Sequence, residues 1–362
     1  MNKQKLKMMM KNTINPLKAL AMLTLAFGLI FITSCSEEDE EPAPTQTIVE
    51  IVTSTDGLDS LAKYLSVYPD LVGLLSGAGD FTVFAPTNDA FIGLLQTDGF
   101  PSNITSINPL IIKNVLAYHV STTRYESSAL TAGVKIATAS QGAEEITINA
   151  DGTLLTGSSN SEIIILEDNI KATNGVIHTI GSVLIPPTVG ATLTPNLGKT
   201  SGAILLSSSF TILASALLKS EEYAATSAQI PSLLGVLAGT AAHTVFAPSN
   251  GTFEAGSLTA ASFTAQQWYG ILATHVVLSA VGPADLTAGA FFTSASGARL
   301  TVLTTSAPTN PAAGILTGIA LDSNGDFTQA EAQVAVPSSA SPSLVTSNGQ
   351  IHVIAGVLLP PQ

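Results

Sequence analysis

Three short blocks occur twice in this chain of 362 residues, in the same order. FTVFAPTNDAF at 81–91 returns as HTVFAPSNGTF at 243–253, and NVLAYHV at 114–120 returns as GILATHV at 270–276. NGVIHTIGSVLIPP at 174–187 returns as NGQIHVIAGVLLPP at 348–361, so the offsets are 162, 156 and 174. Offsets this long exclude a solenoid, whose units recur every 20–50 residues or so, and describe one domain of ordinary size that has been duplicated. The copies run over 47–187 and 199–362, with a short linker at 188–198 where glycine and proline interrupt both strand and helix patterns. So short a connection predicts that the copies pack closely. The second copy carries its added residues between the second and third blocks, where the Pro- and Ser-rich stretches 304–314 and 336–343 read as long loops.

Each copy opens with helical periodicity. Leu58, Leu61, Ala62 and Leu65 stand at i, i+3, i+4 and i+7, as do Phe210, Leu213, Ala214 and Leu217. TVFAP is a short strand stopped by proline, and Thr87, Asn88 and Asp89 offer caps for a new helix. After a helix ending at the histidine of the second block, the pattern turns to strands: VKIATA, EEITINA, EIIILED and GVIHTIGSVLI. Helices lead and a β-rich half follows, so the fold class is α+β.

The repeated histidines are the candidates for chemistry. His119 follows Ile112, Val115 and Leu116 on one helical stripe, and His275 follows Trp268, Ile271 and Leu272 in the same relation. Both therefore point toward the core, where a neutral imidazole needs partners for both ring nitrogens. The expected partners are polar groups of the TVFAP block or a nearby loop. His178 and His352 sit in alternating runs just after Asn174-Gly175 and Asn348-Gly349, pairs that permit positive φ in a tight turn. There a histidine is expected to lock the turn to the rest of the fold. All four read as structural.

Nothing else assembles into an active site. The sequence has no G-x-S-x-G elbow, no His-Glu-x-x-His and no paired-cysteine spacing, and its single cysteine, Cys35, stands near the N-terminus. No metal or cofactor is implied, and the chain reads as non-enzymatic. Asp322, Asn324 and Asp326 resemble the start of a calcium loop, but Gly325 and Glu331 both come too early, which favours a hairpin turn.

Lys3, Lys5, Lys7, Lys11 and Lys18 precede or edge an apolar run that ends at Ile32. Ile32-Thr33-Ser34-Cys35 resembles a bacterial lipobox, so residues 1–34 read as a lipoprotein signal peptide and Cys35 as the lipidated residue. An ordinary signal peptide or a membrane-anchoring helix is the alternative. A lone thiol has no internal disulfide partner, which leaves Cys35 available for lipidation. Residues 35–46 form an acidic tether, SEEDEEPAPTQ following the cysteine. Acids placed there resemble the surface-export signal of some Gram-negative lipoproteins, the alternative being a plain spacer. The expected location is the outer membrane, held by the lipid anchor, surface-exposed or on the periplasmic face. Cleavage after residue 34 removes five of the 13 basic residues and none of the 26 acids, moving the formal charge from −13 to −18. So few scattered cations make no phosphate-binding patch, and nucleic acid is excluded as a partner.

TVFAPTNDAF, LAYHV and NGVIHTIGSVLIPP resemble the two boxes and the central Tyr-His motif of the fasciclin (FAS1) domain family, and the second copy is similar. The resemblance covers nearly all of the chain beyond the tether. It implies two tandem FAS1-like α+β domains and a function in cell adhesion or extracellular-matrix contact, with a protein or polysaccharide of the matrix or a neighbouring cell as partner. The family's ligand-contact segments map to Tyr118 and His119, and to Glu167, Asp168 and Ile170. Asp-Asn-Ile at 168–170 departs from the family's Asp-Ile pairing, so integrin-type recognition does not carry over. The second copy has Thr274 for tyrosine, Gly251 for the acid at Asp89 and His243 for Phe81, which makes it the weaker candidate for binding. Two alternatives stand beside adhesion: a glycan or small-ligand module serving an uptake system, and a purely structural envelope protein. The only tryptophan, Trp268, lies on a core-facing stripe, which disfavours the glycan reading.

Overall fold

The computed structural model describes residues 43–142, 144–150, 154–156, 162–304, 319–322, 332–333 and 343–360. The leader, Cys35, the tether up to residue 42, most of the loops expected at 304–314 and 336–343, and Asn324, Asp326 and Glu331 lie outside them.

In the first copy, α1 (Ile48–Ser54), α2 (Asp59–Leu65) and α3 (Pro69–Ser76) precede β1 (Phe81–Pro86). Then come α4 (Asn88–Leu95), α5 (Pro109–Tyr118) and β2 (Val120–Ser121). The strands β3 (Lys135–Ala137), β4 (Glu145–Ile148), β5 (Leu154–Thr156), β6 (Glu162–Ala172) and β7 (Gly175–Ile180) complete it. Local chemistry sets the helix starts. The Thr47 hydroxyl and the Glu50 carboxylate form a reciprocal capping box on α1, and Thr87 Oγ1 accepts from the Ala90 N–H at the start of α4.

The linker is not irregular. Pro187 opens α6 (Pro187–Leu193), followed by a single 3-10 turn at Thr194–Asn196. Proline suits the first turn of a helix because its missing N–H has no intrahelical partner there. The second copy follows as α7 (Thr200–Leu206), α8 (Thr211–Ala224), α9 (Leu233–Ala238), β8 (His243–Pro248), α10 (Asn250–Ala255) and α11 (Ala265–Thr274). Its strands are β9 (Val276–Val277), β10 (Phe291–Thr293), β11 (Arg299–Thr304), β12 (Ile319–Asp322), β13 (Ala332–Gln333), β14 (Ser343–Val345) and β15 (Gly349–Ile354).

The simple succession of helices and then strands misses one relationship. β1 lies among the helices in sequence, yet it pairs in parallel with the closing strand β7, from Phe81 opposite Gly175 to Pro86 opposite Ile180. The resulting sheet has the order β2-β1-β7-β6-β5-β4-β3. In the second copy β8 pairs in parallel with β15 in the same register, within a sheet ordered β14-β15-β8-β9, and β10 to β13 form another. Because β1 is covered on both faces, every one of its residues is buried, which explains its continuous apolar run. Val83, Ala85 and Ile177 face the helices, whereas Phe84 and Ile180 face a second cluster with Ile136, Ile146 and Ile163.

The helix-side core is continuous between the copies, running from Ile48 through Ile107 and Leu205 to Trp268. At the junction Asn108 N–H donates to the Leu206 carbonyl at 2.5 Å, and Ile107 bridges Ser207. Gly99, with φ +77°, lies so close to Gly198 that a Cβ on it would sit 2.3 Å from the Gly198 nitrogen. Close packing of the two copies thus rests on shared apolar burial and on a backbone approach that only glycine permits.

Candidate functional site

The third repeated block begins at the turn between β6 and β7. Asn174 is buried there, and its side chain spends all its principal hydrogen-bonding capacity on the helical half. Oδ1 accepts from the Ile48 N–H at 3.0 Å, and Nδ2 donates to the Leu75 and Gly77 carbonyls at 2.7 and 2.8 Å. Asn348 does the same in the second copy, accepting from the Thr200 N–H at 3.0 Å and donating to Leu237 and Gly239 at 2.9 and 2.7 Å. The asparagine, rather than the histidine after it, is what locks the turn. Of the two glycines Gly175 has the positive φ that the turn pair permits, at +159°, and both are also constrained by space. Neither asparagine has positive φ, but a Cβ on Gly175 would lie 2.2 Å from the Phe81 carbonyl oxygen, and one on Gly349 would lie 2.6 Å from that of His243.

His119 and His275 occupy the C-terminal ends of α5 and α11 and are buried. His119 Nδ1 donates to the Val115 carbonyl at 2.7 Å, one turn back on its own helix, while Nε2 accepts from the Leu184 N–H at 2.9 Å. His275 repeats this with Ile271 at 2.9 Å and Leu358 at 3.0 Å. The ring partners are therefore the helix itself and the segment after the closing strand, not the TVFAP block, which reaches each histidine only through its main-chain carbonyl. Burial pushes both imidazoles down to about 4, with the helix carbonyl opposing.

His178 lies on β7, stacked on Phe84 at 5.5 Å, and its Nε2 donates to the Tyr125 carbonyl at 2.8 Å. Its Nδ1 accepts from the Asn169 N–H at 3.3 Å. Asn169 sits in β6 where the register against β7 shifts twice, between Ile165 and Glu167 and between Glu167 and Ile170. Its φ of 55° is in the left-handed region, which asparagine tolerates better than most side chains. Its amide clasps Ser127, accepting from that N–H at 2.8 Å and donating to the hydroxyl at 2.5 Å. The bulge turns Glu167 and Asp168 outward, where they line an open groove of about 640 Å³ with Ser127, Ser128, Ile165 and Leu166.

The Fasciclin domain model matches residues 56–186 and 219–360. This chain belongs to the fasciclin family. Protein sll1483 of Synechocystis sp. is 31% identical over 172 residues, which is 47% of this chain and 91% of that protein. Human periostin is 32% identical over 118 residues, 32% of this chain and 13% of periostin, and ig-h3 from Sus scrofa (transforming growth factor-beta-induced protein) is 31% identical over 144 residues, 40% and 20%. Just under half of this chain thus spans almost the whole of the Synechocystis protein, and the matched segments cover a small part of the two animal ones.

Within the first fasciclin domain the expected contact residues do not share a surface. Tyr118 has no exposed surface, and its hydroxyl donates to the Glu145 carbonyl at 2.9 Å. Burial and the nearby Glu144 carboxylate push that phenol up to about 12. His119 is equally enclosed, so the Tyr-His motif is a packing element because both side chains point inward from the end of α5. Ile170 is half-buried against the helix-side core, which leaves Glu167 and Asp168 exposed. Asn169, unremarked in the sequence beyond its departure from the family pairing, holds that pair in place.

The second fasciclin domain keeps the frame and changes the fittings. Thr274, in the place of Tyr118, is buried and bonds Gly270 and Ser296 instead of a strand. His352 stacks on Phe246 at 5.4 Å and donates from Nε2 to the Val281 carbonyl at 2.7 Å, yet its buried Nδ1 has no partner among the described residues. By strand register, Ser343 stands where Asn169 does, directly opposite His352 and without a register shift. Trp268 is wholly buried between Phe253 and Phe263, its indole N–H bonded to the Ala260 carbonyl.

Proposed function

We propose that this fasciclin pair is a non-catalytic adhesion and matrix-contact protein, carried at the outer membrane on lipidated Cys35 and contacting a protein or polysaccharide partner through the first copy. One observation carries the reading. The four histidines at repeated positions each bond a main-chain carbonyl in a buried setting, as Asn174 and Asn348 do, so the repeated polar residues hold the fold together. The polar groups turned outward beside them are Glu167 and Asp168 on the bulged strand. Adhesion is what membership of the family implies. The acidic tether supports the reading physically, because a solvated, like-charged segment extends away from the anchor.

The test has three arms. Reversing both acids, Glu167→Lys with Asp168→Lys, should reduce attachment of the expressing cells to matrix protein or polysaccharide without lowering melting temperature. Unchanged attachment by that variant removes the groove as the contact face. Saturable binding to a single sugar class on a glycan array would favour the uptake-module alternative, which the enclosed Trp268 does not support. For the address, a lipid precursor should label the wild type but not Cys35→Ala, and protease shaving of intact cells should release the domains.

A further inference from the structure

Four groups close a ring around the bulge of the first copy. His178 holds the Tyr125 carbonyl through Nε2 and the Asn169 N–H through Nδ1, and Asn169 holds Ser127 through both ends of its amide. Tyr125 and Ser127 are two residues apart, so one imidazole and one asparagine join β7, β6 and the segment after β2. The ring requires a neutral His178 with its proton on Nε2, because Nδ1 must accept. A proton on Nδ1 sets two N–H donors against each other, and the bond to Asn169 is lost. Asn169 stays in the left-handed region only while its surroundings hold it there.

We propose that the His178–Asn169 bond is a proton-operated latch on the acidic groove, closed at neutral pH and released when His178 Nδ1 is protonated. This regulates the contact face named above and rests on that reading for its biological use, though not for its mechanism. The charged and titratable groups on the elements around the ring are Glu167, Asp168 and Lys171 on β6, Arg124, Tyr125 and Glu126 on the segment after β2, and Tyr118 at the end of α5. Arg124 is engaged by Glu126 at 2.7 Å and by the Gly175 carbonyl at 3.2 Å. Burial opposes protonation of His178, whereas the Tyr125 carbonyl, Asp168 and Glu126 favour it. Protonation therefore places a cation beside Asp168 and Glu126, the acids whose charges favour it. Among the described residues the second copy has no such latch: His352 Nδ1 has no partner, and the strand facing it lacks the register shift that brings the Asn169 N–H to His178.

The latch is tested without any ligand. Hydrogen–deuterium exchange of the full chain in detergent micelles is compared at about pH 7.5 and about pH 5, corrected for intrinsic exchange. Protection at 126–129 and 166–170 should fall by up to about tenfold for each pH unit between the ordinary imidazole range and the lower value that burial imposes on His178, and by more than the general acid loss that 81–86 and 343–345 report. Equal protection at both pH values, or an equal loss at 343–345, overturns the proposal. His178→Gln should abolish the step, and persistence of the step in that variant also overturns it. Should that variant not fold, nitrogen-15 NMR of the wild type provides the check: His178 should carry its proton on Nε2 alone at neutral pH and gain one on Nδ1 over the same range in which 126–129 loses protection. A proton already on Nδ1 at neutral pH, or loss of protection without a change at Nδ1, overturns the latch. Loss of cell attachment in Glu167→Lys with Asp168→Lys bears on the contact face alone, so the two ideas fail separately.

Discussion

The side-chain amide of Asn174 donates to the carbonyl oxygen of Leu75 at 2.7 Å, across 99 residues of chain. The same side chain accepts from the first helix, so the turn that opens the closing strand fastens both ends of the leading helical segment. Only a group carrying donor and acceptor together does this. Asn174→Asp keeps the acceptor, loses two donors and buries a charge. It should cost about 2–4 kcal/mol in urea unfolding. A loss below about 1 kcal/mol would mean that water replaces the amide.

Gly175 answers to space as well as to its φ of +159°. With a Cβ 2.2 Å from the Phe81 carbonyl, Gly175→Ala must push β1 and β7 apart. A loss of about 2–4 kcal/mol is expected, comparable with other severe core substitutions. Gly93→Ala is the matched control, because its Cβ meets nothing within 4 Å in the helix α4. That change should be neutral or slightly stabilising by chemical denaturation.

His119 and His275 make the fold acid-sensitive. Both pKa values are pushed down from 6.5 to about 4, so as pH falls the unfolded chain takes up protons before the folded one. Their contribution is complete above about pH 6.5 and is lost progressively toward pH 4, by roughly 3 kcal/mol for each histidine. His119→Ala should lower stability at neutral pH by about 1–3 kcal/mol and flatten the acid limb of the stability–pH curve. An unaltered acid limb would show that other groups drive the loss.

The shared core predicts that the two copies unfold together. Calorimetry of the wild type should show one transition whose van't Hoff and calorimetric enthalpies agree. Gly99→Val places a branched side chain at φ +77° against the Gly198 backbone and should split that transition in two. Two transitions already present in the wild type would mean that the junction contributes little.

Patterns within a dozen residues were readable in advance. The 3.6-residue stripe through Ile112, Val115 and Leu116 places His119 inside, and alternation through NGVIHTI places His178 opposite Ile177, because side-chain direction follows local geometry. The duplicated blocks identified the family and the tandem arrangement. The glycine and proline of the linker at 188–198 imply an irregular connection, whereas Pro187 opens a helix across it, since Pro-Pro-Thr carries no local mark separating a helix start from a loop. Tyr118 read as a surface residue because its family role was carried over, whereas its place at the end of α5, beside Leu116 and Ala117, is interior.

By itself, then, the sequence determined the duplication, the helices and strands of the repeated blocks and the buried stripes that carry their histidines, since each is a property of neighbouring residues. Tertiary structure decided the pairing of the first strand with the last, the partners of Asn174 and of both histidines, and the bulge at Asn169. Those depend on contacts between segments from 9 to 126 residues apart, and no local pattern records which distant group will arrive at a given side chain.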